Sequence, residues 1–244
     1  MQEEIGDFIK GLVNISDAEI QEYVAEITSN SEFHNSMEER GYKARGEVEV
    51  DPGKVPFSLS VLAVFRAEAM ALYALCRKLK PDVVVETGVA SGVSSSYILC
   101  ALHKNEHGQL YSIDVPWHTM MTNWSRHFPV EDQSKVMPQE RQSGWIIPDY
   151  LRNRWQLIVG TSAEKLPSLL EKLGRIDIFL HDSLHTYENM LWEYQTAWKY
   201  LKVGGILLSH NAFRPESAFS SFCRDVGTEA RVLNQLCGIA NSIE

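Results

Sequence analysis

Two groups of residues in this sequence could carry chemistry, and both follow strand-like apolar segments. The first is the glycine turn Glu86-Thr87-Gly88-Val89-Ala90-Ser91-Gly92. Its glycines allow backbone conformations and close approaches that other residues disfavour, which is typical of a ligand-binding turn. The second group contains side chains that can take up protons or bind metal ions. It comprises Asp182, His185, His210 and Asn211.

The position of the glycine turn predicts a nucleoside cofactor. The turn follows the β-branched run Val83–Val85 and precedes a helical segment whose first N–H groups lack helical partners. In open α/β sheets such strand-to-helix turns lie where ligands bind, beyond the carboxyl ends of the strands. Asp114 ends the next predicted strand, where its carboxylate is placed to accept hydrogen bonds from ribose hydroxyls.

Charge separates two kinds of nucleoside cofactor. The turn lacks the G-x-G-x-x-G pattern of dinucleotide sites and instead has the carboxylate of Glu86 ahead of its first glycine. A negative charge there would repel a pyrophosphate and favour a cation. S-adenosylmethionine carries a positive sulfonium and a positive ammonium, so the sequence favours this cofactor over a nicotinamide dinucleotide.

The second group is expected to lie beside the reacting atoms. The fourth predicted strand ends at His181-Asp182, with His185 shortly after it, and the fifth ends at His210-Asn211. Group transfer from such a cofactor requires the accepting group to lie close to the donor, and an acceptor that carries a proton must lose it. A histidine with a pKa near neutrality suits the role of base, and a divalent cation would lower the pKa of the acceptor.

Strand-like and helical segments alternate through most of the chain. This alternation predicts a Rossmann-like, doubly wound α/β fold with a mostly parallel, seven-stranded sheet. We expect an N-terminal helical extension over residues 1–57 and the main domain over residues 58–244. Helices are predicted from Ser16 to Thr28, over 58–79, 94–104, 163–173, 187–201 and 218–226, with Gly204-Gly205 ending the fifth of these. Strands are predicted at 83–85, 110–113, 156–159, 176–180, 206–208, 231–236 and 238–243.

Two segments depart from this alternation. Residues 30–56 are rich in Gly, Glu and Lys, which predicts a connection or a flap. Residues 115–149 are too long for a simple crossover and carry Trp117 and Trp145 among polar residues. Such insertions are often lids or binding loops, and the alternative is a variable surface insertion with a small core of its own.

The order of these motifs resembles that of class I S-adenosylmethionine-dependent methyltransferases. The stretch His181-Asp-Ser-Leu-His185-Thr-Tyr-Glu is particularly similar to a branch that contains metal-dependent sugar and macrolide O-methyltransferases. The resemblance implies that the glycine turn and Asp114 hold the cofactor and that Thr161 and Ser162 lie near the adenine. The predicted cofactor-binding set is Glu86, Thr87, Gly88, Ala90, Ser91, Gly92, Asp114, Thr161, Ser162 and His181.

The resemblance also implies roles for the second group. It assigns the base to His185, with Asp182 as a further catalytic residue, and metal ligation to Asp182, His210 and Asn211. The branch commonly has an acidic pair where this chain has His210-Asn211. Because Mg²⁺ prefers carboxylate oxygen and histidine suits softer metals, the site is expected to bind a softer cation, to bind weakly or to bind none.

Composition limits the partners of the chain. A net charge of −9 opposes nucleic acid as the main partner, and no segment approaches the roughly 20 apolar residues of a membrane span. Four cysteines without C-x-x-C spacing favour the cytoplasm. We expect a small-molecule acceptor and a possible homo-oligomer. Two alternatives stay open, a nicotinamide-dependent oxidoreductase and a cofactor-binding module without activity. Tyr187 is expected in the core, and Glu188 and Glu193 are expected in solvent.

Overall fold

The structure, a computed structural model, describes residues 2–44, 57–115, 143–212 and 216–242. Side chains are described for all of these residues except 42–44 and 57–65. Its helices are α1 (Gln2–Lys10), α2 (Asp17–Thr28), α3 (Ser31–Ala44), α4 (Phe57–Leu79), α5 (Val93–Lys104), α6 (Ser162–Leu173), α7 (Tyr187–Trp198) and α8 (Ala218–Asp225). Its strands are β1 (Val83–Thr87), β2 (Gln109–Asp114), β3 (Trp155–Val159), β4 (Ile176–His181), β5 (Leu201–His210), β6 (Arg231–Leu233) and β7 (Leu236–Ala240). A 3₁₀ helix over Asp149–Arg154 leads into β3.

The strands form one seven-stranded sheet in the order β3-β2-β1-β4-β5-β7-β6. The first five are parallel, and β7 is antiparallel to both β5 and β6. The chain moves outward from β1 to β3 on one side and then returns to β4, so strand order reverses between β1 and β4. Ligands bind at this kind of reversal in open α/β sheets. The Rossmann-like, mostly parallel sheet predicted from the sequence is confirmed.

Helices cover both faces of the sheet because its parallel strands are apolar on both sides. One core cluster joins α1 to α5 with β-strand residues such as Val84, Ile178 and Leu208. The other joins α6, α7 and α8 with residues such as Val85, Phe179 and Leu207. The alternation along β1, β4 and β5 therefore divides the apolar side chains between two cores. Within the described part of the chain, no helix is long and apolar enough to cross a membrane.

The segment after Asn30 forms a helix where the sequence predicted a connection or flap. The side chain of Asn30 accepts a hydrogen bond from the backbone N–H of Phe33, which satisfies one free N–H at the start of α3. Phe33 and Met37 are fully buried at helical spacing. The prediction was wrong for residues 31–44. It relied on the polar composition of the segment and overlooked the helical spacing of these two apolar residues, which lie four positions apart. The remainder of that segment, residues 45–56, lies outside the described residues.

The predicted boundary at Gly204-Gly205 was also wrong. Helix α7 ends at Trp198, and both glycines lie within β5. The backbone N–H of Gly204 donates to the carbonyl of Asn241, and the N–H of Asn241 donates to the carbonyl of Gly205. These bonds continue the strand through the glycines. Leu201, predicted as the last residue of the helical stripe, instead begins β5 and is buried there.

Candidate active site

The glycine turn connects β1 to α5 and touches the loop after β4. Gly88 has a φ of +85°, and a Cβ added there would overlap the backbone carbonyl of Asp182. Gly92 has a φ of +95°, and its Cβ would meet Gly144 and Ile147. Both positions therefore require glycine, for conformation and for space. Ala90 also has a positive φ, of 48°.

Glu86 lies beneath the turn with no exposed surface. Its carboxylate accepts hydrogen bonds from the hydroxyls of Ser94 (2.5 Å), Ser95 (2.6 Å) and Ser112 (2.8 Å). Burial raises the pKa of this carboxyl to about 7, although the three hydroxyl groups act in the opposite direction. Because the side chain is covered, its predicted role in binding the cofactor stays a prediction.

Asp114 ends β2 directly beside the turn, where the sequence placed it. Its carboxylate accepts hydrogen bonds from the backbone N–H groups of Ala90 (3.1 Å) and Val115 (3.0 Å) and from the hydroxyl of Ser143. Burial raises the pKa of this carboxyl above its usual range, and these donors oppose the rise. The carboxylate thus fixes the conformation of the turn. Its predicted role in binding a ribose stays a prediction.

The last residues of the long insertion lie over the glycine turn. The backbone N–H of Gly144 donates to the carbonyl of Ala90 (2.9 Å), and that of Ile146 donates to the carbonyl of Ser91 (3.0 Å). The guanidinium of Arg152 donates to the carbonyl of Gly144 (2.7 Å). Trp117 and the rest of residues 116–142 lie outside the described residues, so a lid role for the insertion stays a prediction.

Thr161 and Ser162 begin α6 at the carboxyl end of β3. Thr161 caps the helix, accepting a hydrogen bond from the N–H of Glu164 while the carboxylate of Glu164 accepts one from the N–H of Thr161. The hydroxyl of Ser162 donates to the carboxylate of Glu193 on α7. Both residues lie at the edge of the sheet where a ligand would bind, and their predicted contact with adenine stays a prediction.

The four residues of the second group come together at the ends of β4 and β5. His210 Nδ1 lies 3.1 Å from Asp182 Oδ1, and His185 Nε2 lies 3.6 Å from the same oxygen. The Asn211 amide nitrogen lies 3.1 Å from His185 Nε2. The sequence predicted this convergence from the shared edge of neighbouring parallel strands. It did not predict which atoms would pair.

The two histidines of this group differ in their ionisation. The pKa of His185 lies below its usual value because burial disfavours the charged ring, while the carboxylate of Asp182 acts in the opposite direction. The pKa of His210 is raised: burial lowers it, but the hydrogen bond and charge of Asp182 outweigh that effect. His185 is therefore suited to accept a proton, and His210 is suited to carry one.

The predicted metal ligands do not fit a cation in this arrangement. Asp182 and His210 bind each other, and the Asn211 amide nitrogen binds His185. A histidine that keeps its proton beside a carboxylate cannot ligate a metal through that nitrogen. Across the described ranges, no group of three or more His, Cys, Asp and Glu side chains is arranged to hold a metal ion.

Glu193 is a site residue that the sequence analysis placed wrongly in solvent. It has no exposed surface, and its carboxylate lies 2.7 Å from Nδ1 of His181. It shares the buried stripe of α7 with Met190, Tyr194 and Ala197, a spacing that could have revealed it. Tyr187, predicted in the core, is 45% exposed because it begins α7 at the open edge. Glu188 is exposed, as expected.

Glu68 on α4 was also missed. It is 4% exposed, and its Oε1 accepts a weak hydrogen bond from the backbone N–H of Gln235 (3.4 Å) in the turn between β6 and β7. Its charge contributes to the raised pKa of His210, which places it near the second group. No sequence pattern indicated that Glu68 is buried, because an isolated glutamate on a helix is normally exposed.

Comparison with known proteins identifies the family. A family described as "Methyltransferase domain" matches residues 85–212, more than half of the chain. The chain therefore belongs to this methyltransferase family. The prediction of a class I S-adenosylmethionine-dependent methyltransferase is confirmed, and so is the prediction that the protein is an enzyme of that class. A search of curated proteins found no significant match.

Several solved structures that are similar to this chain are methyltransferases, at low sequence identity. An O-methyltransferase from Bacillus cereus in complex with SAH has a TM-score of 0.53 at 13% identity, with 90% of this chain and 96% of that chain covered. The Podospora anserina methyltransferase PaMTH1, bound to SAH, has a TM-score of 0.51 at 13% identity, with 93% and 97% covered. CalS11, a calicheamicin methyltransferase, has a TM-score of 0.50 at 18% identity, with 95% and 96% covered. These similarities establish the fold, and none of them supports the oxidoreductase alternative.

Proposed function

We propose that this enzyme transfers a methyl group from S-adenosylmethionine to a hydroxyl oxygen of a small molecule. The observation that carries the proposal is the position of His185 and its partners beside the glycine turn. A Cβ at Gly88 would overlap the carbonyl of Asp182, so the predicted cofactor site and the predicted reaction site adjoin each other. A bound cofactor and an acceptor could therefore meet at one edge of the sheet.

The proposed roles follow from the contacts of each residue. S-adenosylmethionine supplies an electrophilic methyl group, and S-adenosylhomocysteine remains when the acceptor oxygen takes that methyl. His185 Nε2 would receive the proton of the acceptor hydroxyl, which is consistent with its lowered pKa and neutral ring. The amide nitrogen of Asn211, which lies 3.1 Å from His185 Nε2, would be displaced by the acceptor hydroxyl when the acceptor binds. His210 would keep Asp182 oriented through their hydrogen bond.

The proposal requires no divalent cation, because Asp182 and His210, two of the three residues that the resemblance assigned to one, bind each other. We expect methyl transfer to continue after exhaustive treatment with a chelator and dialysis. Loss of activity on chelation, with recovery on adding Mg²⁺, Mn²⁺ or Zn²⁺, would return the cation to the mechanism. That outcome would not refute the proposal that the protein is an S-adenosylmethionine-dependent O-methyltransferase.

The class of acceptor is proposed to be a small, sugar-containing molecule. CalS11 is described as a TDP-rhamnose 3′-O-methyltransferase, and its structure aligns with most of this chain. The sequence similarity of the stretch from His181 to His185 supports the same class. The cytoplasm is proposed as the compartment, because all four cysteines are buried free thiols and none forms a disulfide.

Calorimetric titration with S-adenosylmethionine and S-adenosylhomocysteine tests the cofactor directly. We expect both to bind, and NAD(H) not to bind. Absence of binding at high micromolar concentration would refute the proposal. A screen of hydroxyl acceptors with methyl-labelled cofactor then tests the reaction, and cofactor binding without transfer to any acceptor would favour a binding module that lacks activity.

A further inference from the structure

The carboxylate of Glu193 is a meeting point for side chains from several elements. It accepts hydrogen bonds from the hydroxyls of Thr87 (2.5 Å) and Ser183 (2.7 Å) and from the amide of Asn189 (3.1 Å). His181 Nδ1 lies 2.7 Å from it, and the hydroxyl of Ser162 also donates to it. These partners come from β1, the end of β4, the loop that follows it, the start of α6 and α7 itself.

The contacts require Glu193 to be an anion. Two hydroxyl groups, an amide and an imidazole N–H within 3.1 Å all donate, and an ionised carboxylate is the side chain that accepts from so many donors. Burial alone would raise the pKa of this carboxyl, but the hydrogen bonds, led by that of His181, lower it to about 2. In the described part of the chain, no Lys or Arg pairs with it, so His181 and the other hydrogen-bond donors stabilise the charge.

Three of these partners belong to the predicted cofactor-binding set. Thr87 directly precedes Gly88, Ser162 opens the helix after β3, and His181 precedes Asp182. Thr87 and His181 have no exposed surface, so their side chains face Glu193 instead of the cleft. His181 also places its ring edge-to-face with that of His185, 5.4 Å between centroids. Fixing these side chains fixes the backbone that lines the cleft.

We propose that Glu193 is a positioning residue for the cofactor, which holds the glycine turn, the start of α6 and the end of β4 in one geometry through Thr87, Ser162 and His181. The inference rests on the proposed function, because the ligand that it positions for is S-adenosylmethionine. Its contacts reach three segments that carry residues of the predicted cofactor-binding set.

Glu193→Gln tests the proposal, with Glu188→Gln on the exposed side of the same helix as the matched control. The amide has the same shape but cannot accept all of these donors, so S-adenosylhomocysteine should bind about tenfold more weakly, as expected for loss of a charge-assisted hydrogen bond. The control should bind like the wild type. Calorimetry is done well below the melting temperature of each variant, and circular dichroism verifies the fold.

A second variant separates positioning from general stability and remains usable if Glu193→Gln fails to fold. Thr87→Val removes one hydroxyl donor and leaves the carboxylate of Glu193 with its other donors, and should weaken S-adenosylhomocysteine binding about threefold or more. In a double-mutant cycle the two changes should couple in binding. A folded Glu193→Gln that binds like the wild type, or a folded Thr87→Val that does so, would overturn the proposal, since a purely structural role lowers the melting temperature alone. If the wild type itself does not bind, the proposed function fails instead.

Discussion

Single residues at this site derive their properties from burial and from a few donors. Glu86 and Glu193 are both fully buried glutamates, yet burial raises the pKa of Glu86 to about 7 while the partners of Glu193 lower its pKa to about 2. The difference lies in their partners. Glu86 has three serine hydroxyls, whereas Glu193 also has the imidazole N–H of His181. Two carboxyl groups without exposed surface therefore have pKa values shifted in opposite directions.

The raised pKa of Glu86 predicts a pH dependence of stability. The folded chain keeps this proton up to about pH 7, whereas an unfolded glutamate loses it near pH 4.5. Because the folded state binds more protons within that window, this residue lowers the free energy of unfolding as pH rises through it, by about 3 kcal/mol in total. In Glu86→Gln this decline should disappear. Urea unfolding across the window measures it, with Glu188→Gln as control, and parallel curves for wild type and Glu86→Gln would contradict it.

The role of His185 can be separated from cofactor binding. Removing the ring in His185→Ala should lower methyl transfer by about 100-fold, the usual contribution of a general base. Binding of S-adenosylhomocysteine should change little, because the predicted base acts on the acceptor. His107→Ala, which removes an exposed histidine paired with Asp82, is the control. Unchanged turnover in His185→Ala would assign the base to another group.

At the scale of elements, the site depends on how closely two loops approach each other. The turn after β1 and the loop after β4 touch at Gly88, and the N–H of Asp182 donates to the carbonyl of Thr87 (2.8 Å). Residues 143–147 contact the same turn, because the N–H groups of Gly144 and Ile146 donate to the carbonyls of Ala90 and Ser91. Two glycines with positive φ, Gly88 and Gly92, make both approaches possible.

Gly88→Ala should therefore abolish binding of S-adenosylhomocysteine, because the added methyl group would push the turn away from Asp182. Gly174→Ala is a matched control: its φ of +73° is also positive, but a Cβ there meets nothing within 4 Å. The control should lose about 1 kcal/mol of stability from backbone strain and keep its affinity. Calorimetry and thermal unfolding on both variants compare these effects. Normal affinity in Gly88→Ala would show that the turn can move.

At the scale of the whole molecule, the N-terminal helices share a core with the sheet. Ile5, Ile27, Phe33 and Met37 belong to the same buried cluster as residues of β1, β4 and β5. The ring of Phe33 packs edge-to-face on Tyr97 of α5, the helix that follows the glycine turn, 5.0 Å between centroids. Glu26 of α2 also pairs with Arg77 of α4 (2.7 Å). These contacts bind the extension to the main domain.

Phe33→Ala should consequently destabilise the entire protein. Truncating a fully buried phenylalanine costs about 3–5 kcal/mol through lost burial and the resulting cavity. If the core is shared, unfolding should remain a single transition in both circular dichroism and tryptophan fluorescence, at a lower denaturant concentration. Tyr187→Ala, at an exposed position, is the control. A separate early transition, with the sheet unaffected, would show instead that residues 2–44 fold independently.

The sequence alone determined the alternation of strands and helices, the glycine turn and the convergence of Asp182, His185, His210 and Asn211. These features follow from local periods and from the rule that parallel strands end at one edge, so no distant contact is needed to infer them. The family match that confirms this class of protein covers residues 85–212, a range that contains these motifs.

Only the tertiary structure decided where the charges of this site lie. Glu193 looks like a surface residue in the sequence, because a buried glutamate is rare without partners. Its partner Thr87 is 106 positions away in the chain, and only folding brings the two together. The pairing of Asp182 with His210, two of the predicted metal ligands, likewise depends on the ends of β4 and β5 meeting in space. The ionisation of these side chains and their ability to bind a metal depend on partners that are distant in the sequence. Local sequence patterns do not identify these partners.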